Sequence, residues 1–297
     1  MQKLHYHHVD VFTQQRFGGN QLAVFLDPPP AISTELMQSI AREMNFSEST
    51  FVFPPRDNRS DFRVRIFTPG KELPMAGHPT VGTAFVLQHT GRIPAQGTVR
   101  FEEGVGIISV ALADGGSGVT ATMEQPAPQF GGVVADRETL ARSLSLDPSQ
   151  IRSDVPAEII SCGVPYIYAP VQNLDAVKTA HPRTDILETL REACGVGEVF
   201  VFTTETERSE ATVHGRMFAP FFGITEDPAT GSAAGPLGIY LVRNGLAKPG
   251  AYICEQGFEM GRPSLINIEI KREGETYTRI AVGGHSVYIG EGYVLVD

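Results

Sequence analysis

Three ionisable side chains, Glu48, His78 and Asp227, stand where they could move a proton. Glu48 lies between the end of a predicted helix and an apolar strand, where few neighbours could pair its charge, so it is a candidate general base. A solvated loop glutamate is the alternative at that position. His78 and Asp227 each lie in a turn that opens a predicted helix. Histidine exchanges a proton near neutral pH, whereas aspartate at a helix start could serve only as an N-terminal cap.

The turns that hold His78 and Asp227 are similar in sequence, in segments 75–87 and 226–241. Each is glycine-rich and leads into a helix without charged residues, over 79–88 and 229–242 respectively. The first turn of a helix leaves backbone N–H groups unpaired and carries the positive end of the helix dipole. Two such starts could hold a carboxylate or a phosphate without lysine. The sequence therefore predicts one anion site built from two helix N-termini.

This similarity extends to other parts of the chain in the same order. The tripeptide at 51–53 recurs at 200–202, and the one at 67–69 resembles 218–220. Residues 19–24 have a fainter counterpart at 163–168. The offsets are all roughly 150 residues, which is about the size of one domain and predicts an internal duplication. Chance similarity among common strand tripeptides is the alternative.

The elements that must position these residues are short strands and helices. Apolar patterning and turn residues predict strands at 6–12, 22–26, 50–53, 62–67, 98–101, 107–111, 286–289 and 293–296. Helices are expected from Ser33 or Thr34 onward, at 136–144, 174–180 and 185–194, and in the two uncharged segments. Because the uncharged helices have no polar face, they should be buried on all sides.

A buried helix among many short strands indicates an α+β fold with two pseudo-symmetric lobes. Each lobe is predicted to be a curled, mostly antiparallel sheet around one central helix. Proline-rich sequence near 124–128 marks a boundary between a first lobe, 1–124, and a second lobe, 125–285. Periodicity does not assign residues 286–297 to either lobe, and they could complete the first.

Composition excludes several classes of function. The chain has 297 residues and a formal net charge of −10, which argues against nucleic-acid or anionic-membrane partners. No apolar run reaches membrane-spanning length, and the N-terminus lacks the apolar core of a signal peptide. Three scattered cysteines do not form a disulfide framework. A cytoplasmic protein is therefore expected.

Cofactor and metal motifs are also missing from the sequence. It contains no P-loop, G-x-S-x-G or G-x-G-x-x-G opening, which removes support for kinase, hydrolase and dehydrogenase functions. His5 and His7 would share one face of a strand while His8 points to the other. No Glu or Cys lies at zinc-like spacing from them, so no metal is predicted and a metal-dependent enzyme ranks last.

The motifs together resemble the phenazine biosynthesis PhzF family. The resemblance is carried, in order, by segments Asp10–Thr13, Phe17–Asn20, Ser47–Phe51, Met75–Gly82 and Glu226–Ala233. It implies the diaminopimelate epimerase-like fold with two pseudo-symmetric lobes. It also implies cofactor-free isomerisation of a small carboxylate substrate and, commonly, a homodimer. The substrate itself does not follow from the resemblance.

The resemblance also implies roles for single residues. Glu48 would shuttle a proton between carbons, with His78 and Asp227 assisting. Related amino-acid epimerases place a thiol at each helix start, whereas this chain has Ala76 and Pro228 near those positions, so a two-thiol mechanism is not expected. A non-catalytic small-molecule binder on the same scaffold is the alternative function. The predicted substrate-binding residues are Asn20, Gly77, Thr230, Gly231 and Ser232.

Overall fold

The computed structural model describes residues 2–114, 116 and 118–296. These form a mixed α/β structure that divides into two compact units. The first unit contains the chain up to Glu124 together with the residues from Val282 onward, and the second contains Gln125–Ala281. None of the helices in the described part of the chain combines the length and the hydropathy that a bilayer span requires.

The first unit is a sheet with two helices. Strands that follow each other in sequence are paired: β1 is antiparallel to β2, β2 is parallel to β3, and β3 is antiparallel to β4. Strand β4 pairs with β5 and, in parallel, with β6, and the antiparallel β6, β7 and β8 follow. The elements are β1 (Gln2–Val11), β2 (Asn20–Leu26), α1 (Thr34–Met44), β3 (Glu48–Phe53), β4 (Phe62–Phe67), β5 (Glu72–Leu73), α2 (Gly77–His89), β6 (Gly97–Glu103), β7 (Gly106–Asp114) and β8 (Val119–Glu124).

The second unit has the same order of strand pairing as the first. Strands β11 and β12 are parallel, β12 is antiparallel to β13, and β13 pairs with β14 and, in parallel, with β15, which is antiparallel to β16. The elements are β9 (Gln129–Val133), α3 (Arg137–Ser143), β10 (Glu158–Ser161), β11 (Pro165–Pro170), α4 (Leu174–Thr179), α5 (Thr184–Cys194), β12 (Val199–Thr203), β13 (Val213–Ala219), β14 (Ile224–Asp227), α6 (Gly231–Arg243), β15 (Gly250–Gln256) and β16 (Ser264–Glu273). The last strand, β17 (Thr276–Val296), begins in the second unit and belongs to the first unit from Val282 onward.

Helices α2 and α6 are buried, as their uncharged sequences predict. Every residue of α6 from Gly231 to Val242 is buried, and α2 is buried from Gly77 to Ala84. Glycine lets each helix approach its sheet closely. A Cβ atom at Gly82 would lie 2.6 Å from Val11 Cγ2, and one at Gly238 would lie 2.7 Å from Ile268 Cγ2. Such distances are too short for a side chain, so these glycines fix how closely the helices pack.

The remaining helices are amphipathic, and the predicted ones are confirmed. Helix α1 starts after Ser33, whose hydroxyl accepts the Leu36 N–H as an N-terminal cap. It buries Met37, Ile40 and Ala41 against a cluster that includes a stacked phenylalanine pair in β2 and β3. Helices α3, α4 and α5 occur in the second unit within one or two residues of the predicted limits.

The prediction of two closing strands at 286–289 and 293–296 is wrong, because β17 is one strand from Thr276 to Val296. It runs antiparallel to β1, with His8 opposite Gly290 and Val9 opposite Tyr288. The extra residue, Ile289, is a β-bulge, which lets a strand continue past a local irregularity. Glycines at 290 and 292 resemble a turn in the sequence, but here they lie within the paired strand.

Candidate functional site

Glu48 and His78 meet at the start of helix α2. Glu48 begins β3, where parallel pairing with β2 places it opposite Leu22, and His78 is the second residue of α2. His78 Nε2 lies 3.2 Å from Glu48 Oε2. Both residues are buried, with 3% of His78 and 8% of Glu48 exposed. An imidazole and a carboxyl group are therefore within proton-transfer distance in the first unit.

His78 is uncharged near neutral pH. Burial lowers its pKa from 6.5 to about 3, although the Gln21 backbone carbonyl acts in the opposite direction. The ring Nδ1 lies 3.1 Å from the side-chain amide nitrogen of Asn20. Asn20 therefore contacts the His78 ring at Nδ1, and the other ring nitrogen, Nε2, faces Glu48. The contact between His78 and Glu48 is thus not an ion pair.

The N-terminus of α2 is available to an anion. Ala76 is the N-cap residue in an extended conformation, and no side chain caps the helix start in the described part of the chain. The first turn contains no acidic residue, and its first residue, Gly77, is buried. The first N–H groups of a helix have no partner within the helix, so they and the dipole favour a negative group.

Glu103 is a second buried carboxyl group near the start of α2. Thr80 Oγ1 lies 2.6 Å from Glu103 Oε1 and 2.7 Å from the Ala76 carbonyl oxygen. Burial raises the pKa of Glu103 to about 8, although the hydrogen bond from Thr80 acts in the opposite direction. Glu103 is therefore mostly protonated at pH 7. It supports the first turn of the helix without placing a negative charge there.

In the second unit, Asp227 lies in a hydrogen-bonded cluster at the start of α6. Thr230 Oγ1 donates to Asp227 Oδ2 at 2.5 Å. Gln256 holds the turn through both amide atoms: its Nε2 donates to the Asp227 carbonyl at 2.7 Å, and its Oε1 accepts the Thr230 N–H at 2.9 Å. Thr230 is also the N-cap residue of α6, and its hydroxyl orients the Asp227 carboxyl group.

Two residues in the first turn of α6 form hydrogen bonds with side chains from elsewhere in the second unit. Ser232 Oγ lies 2.7 Å from the Tyr166 hydroxyl, and the Gly231 carbonyl accepts the Gln125 amide at 2.9 Å. Thr230 is the N-cap residue, but its side chain makes no cap bond. Gly231, like Gly77, is the first residue of its helix and is buried. The start of α6 therefore offers N–H groups to an anion in the way that α2 does.

The structure brings the predicted site residues together in two sets. The first unit holds Asn20, Glu48, Gly77 and His78, joined through the His78 ring and the start of α2. The second unit holds the other four, joined around the start of α6: Asp227, Thr230, Gly231 and Ser232. That one ligand uses both sets stays a prediction.

Glu103 and Gln256 were not predicted as site residues, although a sequence pattern marks both positions. Each ends a strand and is followed by a glycine, Gly104 or Gly257. A Cβ atom at Gly104 would lie 2.7 Å from Pro74 Cα, and one at Gly257 would lie 2.5 Å from the Pro228 carbonyl oxygen. Only glycine allows that approach, and in both units a strand-ending polar residue precedes such a glycine.

The cysteines are poorly suited to proton transfer. Burial raises the pKa of the Cys162 thiol to about 12 and also raises that of Cys254. Cys254 lies in β15, and Cys194 ends α5. None of the three is at the start of α2 or α6. The thiol pair of the amino-acid epimerases therefore has no counterpart at these helix starts.

Comparison with known proteins identifies the family and the fold of the chain. Residues 9–292 match the family model described as phenazine biosynthesis-like protein. The chain is 38% identical to the trans-2,3-dihydro-3-hydroxyanthranilate isomerase of Pseudomonas fluorescens, over 97% of this chain and 98% of the relative. A PhzF-family structure from Bacillus anthracis superposes with a TM-score of 0.91 at 29% identity, over 100% of both chains. A structure from Pseudomonas aeruginosa titled as a predicted epimerase gives a TM-score of 0.84 at 32% identity, over 99% of this chain and 100% of that one.

Proposed function

The chain belongs to the phenazine biosynthesis-like protein family, and on that premise we propose that it is an isomerase of a small carboxylate substrate. In this proposal Glu48 moves a proton between two carbons without a cofactor, and His78 and Asp227 assist. The N-termini of α2 and α6 hold the substrate carboxylate through backbone N–H groups. The observation that carries the proposal is the buried contact between Glu48 and a neutral His78 beside an uncapped helix start.

The proposed reaction needs one group that acts first as a base and then as an acid. The Glu48 carboxylate takes a proton from a substrate carbon, and the electron pair of that C–H bond moves into the conjugated system that ends at the carboxylate. The protonated Glu48 then returns the proton to a different carbon. Atoms and electrons balance, so the product is an isomer. Oriented N–H donors stabilise the charge that develops, typically by about 3 kcal/mol for each well-placed donor.

The neutral state of His78 suits the assisting role. A protonated imidazole beside Glu48 would hold the carboxylate in an ion pair and weaken it as a base. In the tautomer with its hydrogen on Nε2, a neutral ring can instead donate to Glu48 or to the substrate. Because burial keeps its pKa near 3, this state persists across the physiological pH range. Asn20 fixes the ring orientation through Nδ1.

The test is incorporation of solvent deuterium into substrate. The compound to try first is trans-2,3-dihydro-3-hydroxyanthranilate, which the Pseudomonas fluorescens relative is named for. A panel of small unsaturated carboxylates follows, each incubated in D2O and analysed by mass spectrometry. We expect Glu48→Gln to lower exchange and turnover by about 10²–10⁴-fold, and Asp227→Asn to lower both by about 10²-fold.

The matched control is Glu43→Gln, which removes an exposed glutamate of α1 and should leave exchange unchanged. Full exchange by the Glu48→Gln variant would remove the proposed base. Tight binding of a carboxylate with no exchange and no dependence on Glu48 would favour a non-catalytic binding protein.

A homodimer and a cytoplasmic location are part of the same proposal, and light scattering and cell fractionation test them.

A further inference from the structure

Strands β1 and β17 bring two histidines and a glutamate to one face of the first unit. In their antiparallel register, His7 lies opposite Glu291 and His5 lies opposite Tyr293. Alternate residues of a strand share a face, so His5 and His7 lie on the same side of β1. Side chains directly opposite each other across two strands also share a face. The carboxylate that the N-terminal segment lacks therefore comes from the other end of the chain.

The distances among these three side chains match those of metal ligands. Glu291 Oε2 lies 3.1 Å from His5 Nε2 and 3.7 Å from His7 Nδ1. One ligand atom from each of the three residues lies within 4.8 Å of the other two. In a tetrahedral zinc site with bonds of about 2.0–2.1 Å, neighbouring ligand atoms are about 3.3 Å apart. The two distances from Glu291 lie on either side of that value, and one nitrogen from each histidine lies within 4.8 Å of the other.

Neighbouring aromatic groups orient the ligands. The Tyr288 hydroxyl lies 3.0 Å from His7 Nδ1 and donates to Glu291 Oε2 at 3.2 Å. The ring of Tyr293 lies beside that of His5, with their centroids 4.9 Å apart. Hydrogen bonds to metal-binding side chains hold them in the binding orientation, and Tyr288 can do this for Glu291 once His7 binds a metal. The bulge at Ile289 lies between Tyr288 and Glu291 and sets their directions.

We propose that His5, His7 and Glu291 bind one divalent transition-metal ion of the zinc class, with water as the fourth ligand. Two imidazoles and one carboxylate suit Zn²⁺, whereas Ca²⁺ and Mg²⁺ prefer oxygen ligands alone. The His7 side chain is 7% exposed, but those of His5 and Glu291 are 34% and 58% exposed, so an ion can enter from solvent. A metal ion bound there links β1, the first strand of the chain, to β17, the last. It is structural and independent of the proposed isomerase reaction.

Metal binding to the folded chain raises its stability by mass action. At a metal concentration 100 times the Kd, we expect the melting temperature to rise by about 5 °C. The protein used is the full chain, first freed of metal by dialysis against a chelator. Co²⁺ serves as the spectroscopic probe, because tetrahedral Co²⁺ has intense visible absorption. Zn²⁺ binding is then measured by calorimetry and by competition with Co²⁺.

The variants separate this site from chance binding to surface histidines. His5→Gln and Glu291→Gln each remove one ligand with an exposed side chain, and we expect at least a tenfold loss of Zn²⁺ affinity and loss of the Co²⁺ spectrum. His8→Gln changes the neighbouring histidine, whose ring stacks on Phe46, and His181→Gln changes an exposed histidine of the second unit. Both should keep one bound metal per chain.

Equal affinity in all four variants and the unchanged chain would overturn the proposal, as would absence of the tetrahedral spectrum in the unchanged chain. Loss of binding in His8→Gln or His181→Gln to the same degree as in His5→Gln would also overturn it. Deuterium exchange into substrate is measured on the same samples. Exchange that survives chelation while the melting temperature falls supports a structural metal, and exchange that is lost with the metal contradicts it.

Discussion

At the residue scale, Glu103 in the first unit and Gln256 in the second occupy corresponding positions. Each ends a strand, β6 or β15, and contacts a threonine near the start of the helix that its unit buries. A protonated carboxyl group resembles a carboxamide in size and in having one donating and one accepting side. Burial holds Glu103 in that protonated form near neutral pH. We infer that both residues are neutral supports for a helix start.

The variant Glu103→Gln should therefore fold and keep its activity, and it should be more stable than the unchanged chain at high pH. The folded pKa of about 8 exceeds the ordinary value of 4.5, so between these pH values the folded state holds one more proton than the unfolded state. Stability of the unchanged chain then falls by up to about 1.4 kcal/mol for each pH unit in that window. Urea unfolding at pH 5, 7 and 9 measures the difference, with Glu43→Gln as the control. A difference between Glu103→Gln and the unchanged chain that does not grow with pH would contradict the assignment.

At the element scale, His214 joins strands β13 and β15 from within the second unit. The parallel register pairs His214 with Glu255, and its Nδ1 lies 2.9 Å from Glu255 Oε2. Its Nε2 lies 3.0 Å from Glu259 Oε1, in the segment after β15. Burial alone would lower the pKa of His214, but the hydrogen bonds to Glu255 and Glu259 raise it to about 9. The ring is therefore a buried cation between two carboxylates.

Replacing His214 with Gln should cost about 3–5 kcal/mol at pH 7, because it leaves buried carboxylates without their cation. The folded pKa is above the ordinary value of 6.5, so this stabilisation is fully present below pH 6.5 and is lost as the pH rises through 9. Guanidinium unfolding at pH 6, 7 and 10 should show the difference between the two chains shrinking at pH 10. The control is Glu275→Gln, which breaks an ion pair with Arg272 whose carboxylate is 96% exposed and should change stability by at most about 1 kcal/mol. An equal effect of the two substitutions would mean that His214 is not a buried cation.

At the scale of the whole molecule, the first unit depends on the last strand of the chain. Residues of β17 from Ser286 to Val296 pair with β1, and Gln2 lies opposite Val296. Residues from Val282 onward belong to the first unit, although they follow the second unit in sequence. The first unit is thus assembled from both ends of the chain.

Deleting residues 282–297 should leave β1 without its partner and prevent stable folding of the first unit. A permuted chain that begins at Glu275, in the exposed turn before β17, and joins the old termini through a short Gly-Ser linker should fold, because the ends of β1 and β17 are neighbours. Circular dichroism and size-exclusion chromatography compare the two with the full chain. A deletion variant as cooperative and monodisperse as the permuted chain would show that the strand is dispensable.

Much of the fold was predictable because it depends on local pattern. The absence of charge over 79–88 and 229–242 required burial of two helices, and Ser33 with apolar residues at helical spacing defined α1. The sequence also identified Glu48 and His78 as candidates, since their types and their places at element starts suit proton transfer. The duplication itself stays a proposal, which the shared order of strand pairing in the two units supports.

Only the tertiary structure decided which distant residues meet. The continuity of β17 past Ile289, the protonated state of Glu103 and the contact of Glu291 with His5 depend on strand register and on burial. Register is set by pairing across the whole chain, and a pKa is set by how far the fold removes a group from water. Residue type and spacing therefore determined what chemistry this protein could do. The packed chain determined which side chains are close enough, and in which protonation state, to do it.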